Sequence, residues 1–264
     1  MTSLTAVGAA HFDHIARLLS AADAASVPGV TQRFAGGAAF NAVRQFVRAG
    51  GTATLHVPGP IVRLRRYAGG VQLCSLTSSA TEPSYTAILD SEGELVVAVA
   101  DMRSYDQLAP CAADVVPLAP YMLVDANLPT ALLERLAQRL PNHAKLFAMA
   151  VSPAKIVRLA GIAERIDILF CNEREHAAAP LPVRATVVTA GADPVRYEDA
   201  TEAISHPIDR TVPVDVTGAG DAVTGAFLFA NLSGASHAEA LQAAVNAARE
   251  TIAGEGPFPF GTDA

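Results

Sequence analysis

Asp215-Val216-Thr217-Gly218-Ala219-Gly220-Asp221-Ala222-Val223-Thr224-Gly225-Ala226-Phe227 runs from a glycine-rich turn into an apolar helix, with a carboxylate at the junction. Backbone N–H groups at a helix start lack intrahelical partners and attract anions, and glycine lets the backbone approach one closely. Asp221 stands at the same mouth, where a carboxylate can take a proton from an alcohol. An anion cradle and a base in one turn point to phosphoryl transfer. The plain alternative is a tight turn before a packed helix, since Ala222–Ala230 is almost wholly apolar. A dinucleotide fingerprint requires GxGxxG after an early strand; here the spacing is GAGDAVTG, late in the chain. No Walker GxxxxGK[ST] occurs either.

Outward from this turn, strand-length apolar runs recur at Leu4–Ala9, Tyr121–Asp125, Lys145–Ala150, Ile166–Cys171 and Ala185–Thr189, with helical patterns between most of them. Thr130–Leu140 places Leu132, Leu133, Leu136 and Leu140 on one face, behind Pro129. Ser236–Ala253 opens with Ser236 and Glu239 at capping-box spacing. This alternation predicts an α/β fold with a mostly parallel sheet covered on both faces. Residues 71–100 differ: Val71–Thr77, Tyr85–Leu89 and Leu95–Ala100 are β-rich with no helix between them, and Asp90-Ser91-Glu92-Gly93 joins the last two as a hairpin. They predict a small antiparallel flap, or lid, within one domain spanning residues 1–264. Its exposed edge invites a homodimer.

With 264 residues, 51% of them hydrophobic, the chain can bury a large core. A net charge of −7 argues against a nucleic-acid partner. No apolar run reaches membrane-span length, and Met1-Thr-Ser-Leu-Thr lacks the marks of a signal peptide, so no membrane association and a cytoplasmic location are expected. Cys74, Cys111 and Cys171 form no CxxC or Cys/His cluster and read as buried structural thiols.

DVTGAGDAVTGAF resembles the second signature of the ribokinase-like (PfkB) family of sugar and nucleoside kinases. Gly36-Gly37-Ala38-Ala39-Phe40-Asn41-Ala42-Val43 resembles the first, and Gly8-Ala9-Ala10-His11-Phe12-Asp13 the family's first strand with its substrate aspartate. The N-x-x-E pattern at Asn172–Glu175, the Thr189-Ala190-Gly191 turn and a late helix bearing Asn246 follow in family order. The resemblance implies a three-layer α/β sandwich with a β lid. It implies Asp221 as catalytic base, with Gly218, Ala219 and Gly220 as the anion hole. It implies substrate contacts at Asp13, Gly37 and Asn41, and ATP contacts at Asn172, Thr189, Gly191 and Asn246. Glu175 matches a position that orders Mg²⁺ indirectly, and Asp215 and Thr217 match positions where some members hold a monovalent cation. Asn41 also reads as an ordinary helix N-cap, and His11 and His14 as local polar packing.

The chain departs from the family pattern on its nucleotide side. His56-Val57-Pro58-Gly59-Pro60 has no acidic residue, the following helix is cut to about Ile61–Tyr67, Pro180-Leu181-Pro182 interrupts expected helix, and Pro194 replaces a common glycine. These departures keep open a non-catalytic sugar- or nucleoside-binding regulator and a donor other than ATP. Val99–Tyr105 and Asp125–Pro129 are similar to segments of pseudouridine kinases. The expected activity is ATP-dependent phosphorylation of a primary hydroxyl on a sugar or nucleoside.

Overall fold

The strands are β1 (Ser3–Val7), β2 (His11–Leu18), β3 (Gly29–Gly36), β4 (Thr52–Val57), β5 (Gln72–Ser75), β6 (Ser84–Leu89), β7 (Leu95–Asp101), β8 (Tyr121–Asp125), β9 (Lys145–Met149), β10 (Ile168–Asn172), β11 (Ala185–Ala190), β12 (Asp193–Asp199) and β13 (Ala203–His206). The helices are α1 (Ala38–Arg48), α2 (Arg103–Asp106), α3 (Thr130–Arg139), α4 (Glu173–Ala178), α5 (Ala219–Leu232) and α6 (His237–Ala253). This computed structural model describes residues 1–21, 26–77, 81–208 and 218–254. A nine-stranded sheet has the order β13-β12-β11-β10-β9-β8-β1-β4-β5. From β5 to β11 every neighbouring pair is parallel; β12 and β13 add on antiparallel.

Side chains alternate across the pleat, so one strand feeds both faces. Leu4 and Ala6 of β1 enter the core beneath α1, α5 and α6, while Val7 enters the core beneath α3. This is the predicted parallel sheet with two helical covers. The Ser236–Glu239 capping box forms: the Glu239 N–H donates to Ser236 Oγ and the Ser236 N–H to Glu239 Oε2. Pro194, which has no N–H to donate, sits on β12 opposite the register shift between Val188 and Ala190, where the ladder is already irregular. Among the described residues no helix is long and apolar enough to cross a membrane.

The lid differs from the sequence expectation. It is a four-stranded sheet of order β3-β2-β6-β7. Of the β-rich residues 71–100, Val71–Thr77 instead supplies β5, which pairs in parallel with β4 and buries Leu73 in the central core. The lid's other half comes from His11–Leu18 and Gly29–Gly36. Those strands mix charged and apolar residues because the lid has no helical layer over it, so their period-2 signal is weak. The thiols differ too. Cys171 is buried, Cys74 is partly buried, and Cys111 is exposed on a 3₁₀ turn at Pro110–Val115.

The central strand order reverses direction between β1 and β8, from which the chain runs on to β4 on one side and β9 on the other. In open parallel sheets the crevice beyond the carboxyl ends of the strands at such a switch point receives ligands. The lid strands begin directly above it, at His11.

Candidate active site

The glycine-rich turn delivers α5 to this crevice. Gly218 is its N-cap with φ 77°, a left-handed conformation suited to glycine. Ala219 and Gly220 form the first turn, and a Cβ on Gly220 would meet nothing within 4 Å. The N–H groups here face room for an anion. Asp221 follows and lines a cavity of about 290 Å³ together with Gly220, Asn172, Glu175 and Thr189.

Helix α1 presses against α5. A Cβ on Gly225 would lie 2.2 Å from the Ala42 carbonyl oxygen and 2.9 Å from the Phe46 nitrogen, so only glycine lets the two backbones meet. That contact, one turn beyond Asp221, brings Asn41 to it: Asn41 Nδ2 donates to Asp221 Oδ2 at 2.9 Å. Asn41 lies inside α1 and is not its cap, which is Gly37. Its Oδ1 is buried without a partner among the described residues, an acceptor suited to a ligand hydroxyl. Desolvation pushes the Asp221 carboxyl up to about 7; the Asn41 hydrogen bond pulls it down, and the negative charges of Asp125, Asp13 and Glu175 push it further up. A base tuned near neutrality suits proton abstraction.

Asp13 sits on lid strand β2, beyond the end of β1. A Cβ on Gly36 would fall 2.2 Å from Asp13 Oδ2, so the glycine makes room for this carboxylate against β3. Asp13 Oδ1 lies 3.2 Å from His11 Nε2, and His11 Nδ1 lies 3.2 Å from the hydroxyl of Tyr105, which donates to the Ala10 carbonyl. The lid aspartate is thus braced through His11 to α2. Sequence reading set His11 aside, and its partner is 94 residues away, so no local pattern could have exposed the pair. His14 is exposed.

On the other flank, the N-x-x-E motif is a capping box: Asn172 Oδ1 accepts from the Glu175 N–H at 2.9 Å, and Glu175 Oε2 from the Asn172 N–H at 2.8 Å. Burial raises the Glu175 carboxyl above its usual range. One of its oxygens is committed to the cap while the residue lines the cavity. Such a donor set fits Mg²⁺, which takes one or two carboxylate oxygens and completes its shell with phosphate and water. Thr189 lines the cavity, whereas Gly191 (φ 63°) and Asn246, which accepts from Gln242 Nε2, are exposed and do not line it. Asp215 and Thr217 fall outside the described residues. Val151, also on the cavity wall, has φ 68°, and the Ser152 N–H donates back to the Ala150 carbonyl at 2.8 Å. This is a strained γ-turn of a kind that concentrates at functional sites.

A carboxylate at a helix mouth and a capped carboxylate share one cavity at the carboxyl ends of parallel strands. The model of the pfkB family carbohydrate kinases matches residues 70–259. The chain belongs to this family. The pfkB-family kinase is also similar to a carbohydrate kinase from Agrobacterium tumefaciens, with 33% identity, 99% of this chain and 93% of that one covered, and a TM-score of 0.82. It shares its fold with the Methanocaldococcus jannaschii nucleoside kinase (18% identity, TM-score 0.77, 97% and 93% covered). It also shares it with the Arabidopsis thaliana ribokinase complexed with ribose and ATP (19%, 0.76, 97% and 94%). No curated protein matches the sequence. Of the kinase's sequence-flagged residues, Gly220, Asp221, Asn172, Glu175 and Thr189 line one cavity, and Asn41 bonds directly to Asp221.

Proposed function

We propose that the kinase transfers a phosphoryl group from ATP to a primary hydroxyl of a sugar or nucleoside, with Asp221 as the general base. The observation that carries this reading is Asp221 itself. It is raised to about 7, held by Asn41, and placed in the first turn of a helix whose N–H groups open on the same cavity. The acceptor lies between the lid and the switch point, with Asp13 and Asn41 as partners for its hydroxyls and Gly37 giving it access to the α1 terminus. Asp221 takes the hydroxyl proton as the oxygen attacks. The Gly218–Gly220 amides receive the charge of the moving group, the electrostatic help this chemistry chiefly needs. Asn172 and Thr189 face the donor phosphates; Gly191 and Asn246 lie further out along the nucleotide. Glu175, together with the donor phosphates, would hold Mg²⁺, which would supply charge neutralisation there. Asp215 and Thr217 stay candidates for a monovalent cation.

The pseudouridine-like segments at Val99–Tyr105 and Asp125–Pro129 support including pseudouridine among the candidate acceptors. A phosphorylation screen over nucleosides, pseudouridine, pentoses and hexoses with ATP–Mg²⁺ tests this; no turnover on any acceptor would sink it. The second reading, a non-catalytic binder, draws on α4, which stops after 6 residues. Acceptor binding without nucleotide binding or turnover would favour it.

We also place a second copy of the chain on the lid. Edge strand β7 exposes Leu95, Val96, Val97 and Val99 at about half or more of their surface, and an apolar edge of this kind seeks a partner.

A further inference from the structure

Asp125 ends β8 at the switch point and is fully buried. Its carboxylate makes no use of solvent. Oδ2 accepts the Ala9 N–H at 2.7 Å and the Ala39 N–H at 3.2 Å, and Oδ1 accepts the Asn127 N–H at 3.0 Å. Those amides belong to the loop leading to lid strand β2, to the first turn of α1, and to the segment after β8. The first two segments are also tied to each other, because the Phe40 N–H donates to the Ala9 carbonyl. The junction has no slack. A Cβ on Gly8 would lie 2.5 Å from the Ala39 Cβ and 2.6 Å from Asp125 Oδ2; one on Gly37, at φ 110°, would lie 2.5 Å from the Ala9 oxygen.

What these segments carry gives the junction its meaning. Four residues beyond Ala9 is Asp13, and two beyond Ala39 is Asn41, the residue bonded to Asp221. We infer that Asp125 is a positioning residue of the active site: its buried carboxylate clamps the lid-entry loop and the α1 terminus to the sheet, setting Asp13 and Asn41 at fixed places around Asp221. A buried carboxylate is costly unless hydrogen-bonded, and a leucine at this place would serve a core alone. Three backbone donors offset part of the cost, burial still holding the Asp125 carboxyl above its usual range, and Lys155, whose ammonium donates to Asn127 Oδ1, is a positive charge that feels it. The clamp is also electrostatic. The charged neighbours of Asp221 are Asp125, Asp13 and Glu175, each of which favours its protonated form, while Asn41 opposes them.

The inference rests on the kinase reading, and its test separates the two. Parental turnover with ATP–Mg²⁺ and the best acceptor comes first. A parent without turnover sinks the kinase reading alone, and the clamp is then read from acceptor binding by calorimetry. Asp125→Asn keeps the shape but faces an NH₂ toward an N–H donor and removes the charge. Gly8→Ala pries the same junction apart sterically and leaves the charge in place. For both, acceptor KM should rise and kcat/KM fall about tenfold or more, with circular dichroism unchanged. The acid limb of the kcat/KM profile should lie at lower pH in Asp125→Asn than in Gly8→Ala, which disturbs the same neighbours but keeps the charge. A folded variant of either kind with parental kcat/KM, or an acid limb no lower in Asp125→Asn than in Gly8→Ala, overturns the inference. So does failure of both variants to fold, because the junction would then serve the fold and not the site.

Discussion

The two flanks of the cavity are built differently. The acceptor flank is interlocked: Gly8, Gly36, Gly37 and Gly225 are each positions where a Cβ would strike backbone or a functional carboxylate, and Asn41, Asp125 and Asp221 are fixed by direct hydrogen bonds. The donor flank is open. Its capping box tops a helix of 6 residues, and Gly191 and Asn246 stand exposed. On the proposed function, packing concentrates where atoms must be placed within fractions of an ångström for proton abstraction. A polyanionic nucleotide needs less from the protein, because charge and exposed amides recruit it over a broader surface.

The contrast predicts a graded set of outcomes, the first expected to be the largest. Asp221→Asn should lose about 10²–10⁴-fold in kcat while keeping the fold, read by steady-state kinetics and circular dichroism. In the parent, kcat/KM should fall about tenfold per pH unit below about 7, as the base is protonated, and reach a plateau above it. The variant should show no such limb. Stability carries the opposite sign. Because the native carboxyl is raised from 3.8 to about 7, the folded state holds a proton through that window that the unfolded chain has released. Stability is therefore lost as pH rises across it. Asp221→Asn should be the more stable protein at pH 8, and its advantage should vanish near pH 4, as thermal melts would show.

Gly225→Ala should cost about 1–3 kcal/mol by overpacking, read by urea titration. Alanine's gain in helix propensity, at most about 1 kcal/mol, cannot offset a Cβ 2.2 Å from a carbonyl that has no rotamer to escape into. Activity per folded molecule should fall as well, since the Asn41–Asp221 bond depends on this contact. Glu175→Gln should raise the Mg²⁺ needed for half-maximal rate about tenfold with a smaller change in acceptor KM. If it costs more turnover than Asp221→Asn, the ranking of the two flanks is reversed. Val97→Lys on β7 should leave stability within about 0.5 kcal/mol and convert a dimer to monomer by light scattering. A parent that is already monomeric removes the lid as an interface.

Much of this was legible in the sequence, and the limits have physical causes. Tyr121–Asp125 and Thr130–Leu140 were readable because parallel strands buried on both faces are continuous apolar runs and an amphipathic helix repeats every 3.6 residues. The glycine-rich turn was readable because left-handed φ and close backbone approach leave few residues to choose from. The lid strands His11–Leu18 and Gly29–Gly36 were not, since β2 finds its second partner, β6, some seventy residues on, β3 pairs with β2 alone, and both strands mix charged and apolar residues. Val71–Thr77 was assigned to the lid because nothing local tells an edge strand of one sheet from an edge strand of another. At the site, Asp221, Asn41 and Glu175 could be named from motifs. The Asn41–Asp221 bond, and the hold of Asp125 on Ala9 and Ala39, join residues 86 to 180 apart and exist only after folding.

The lid is drawn from two stretches of chain, and its middle strands β2 and β6 run parallel, with α1, β4 and β5 between them in sequence. It is therefore not a cassette. No contiguous exchange of the lid alone can graft another kinase's lid onto this chain, and a change of acceptor preference made there has to arrive as two coordinated edits, one before α1 and one after β5.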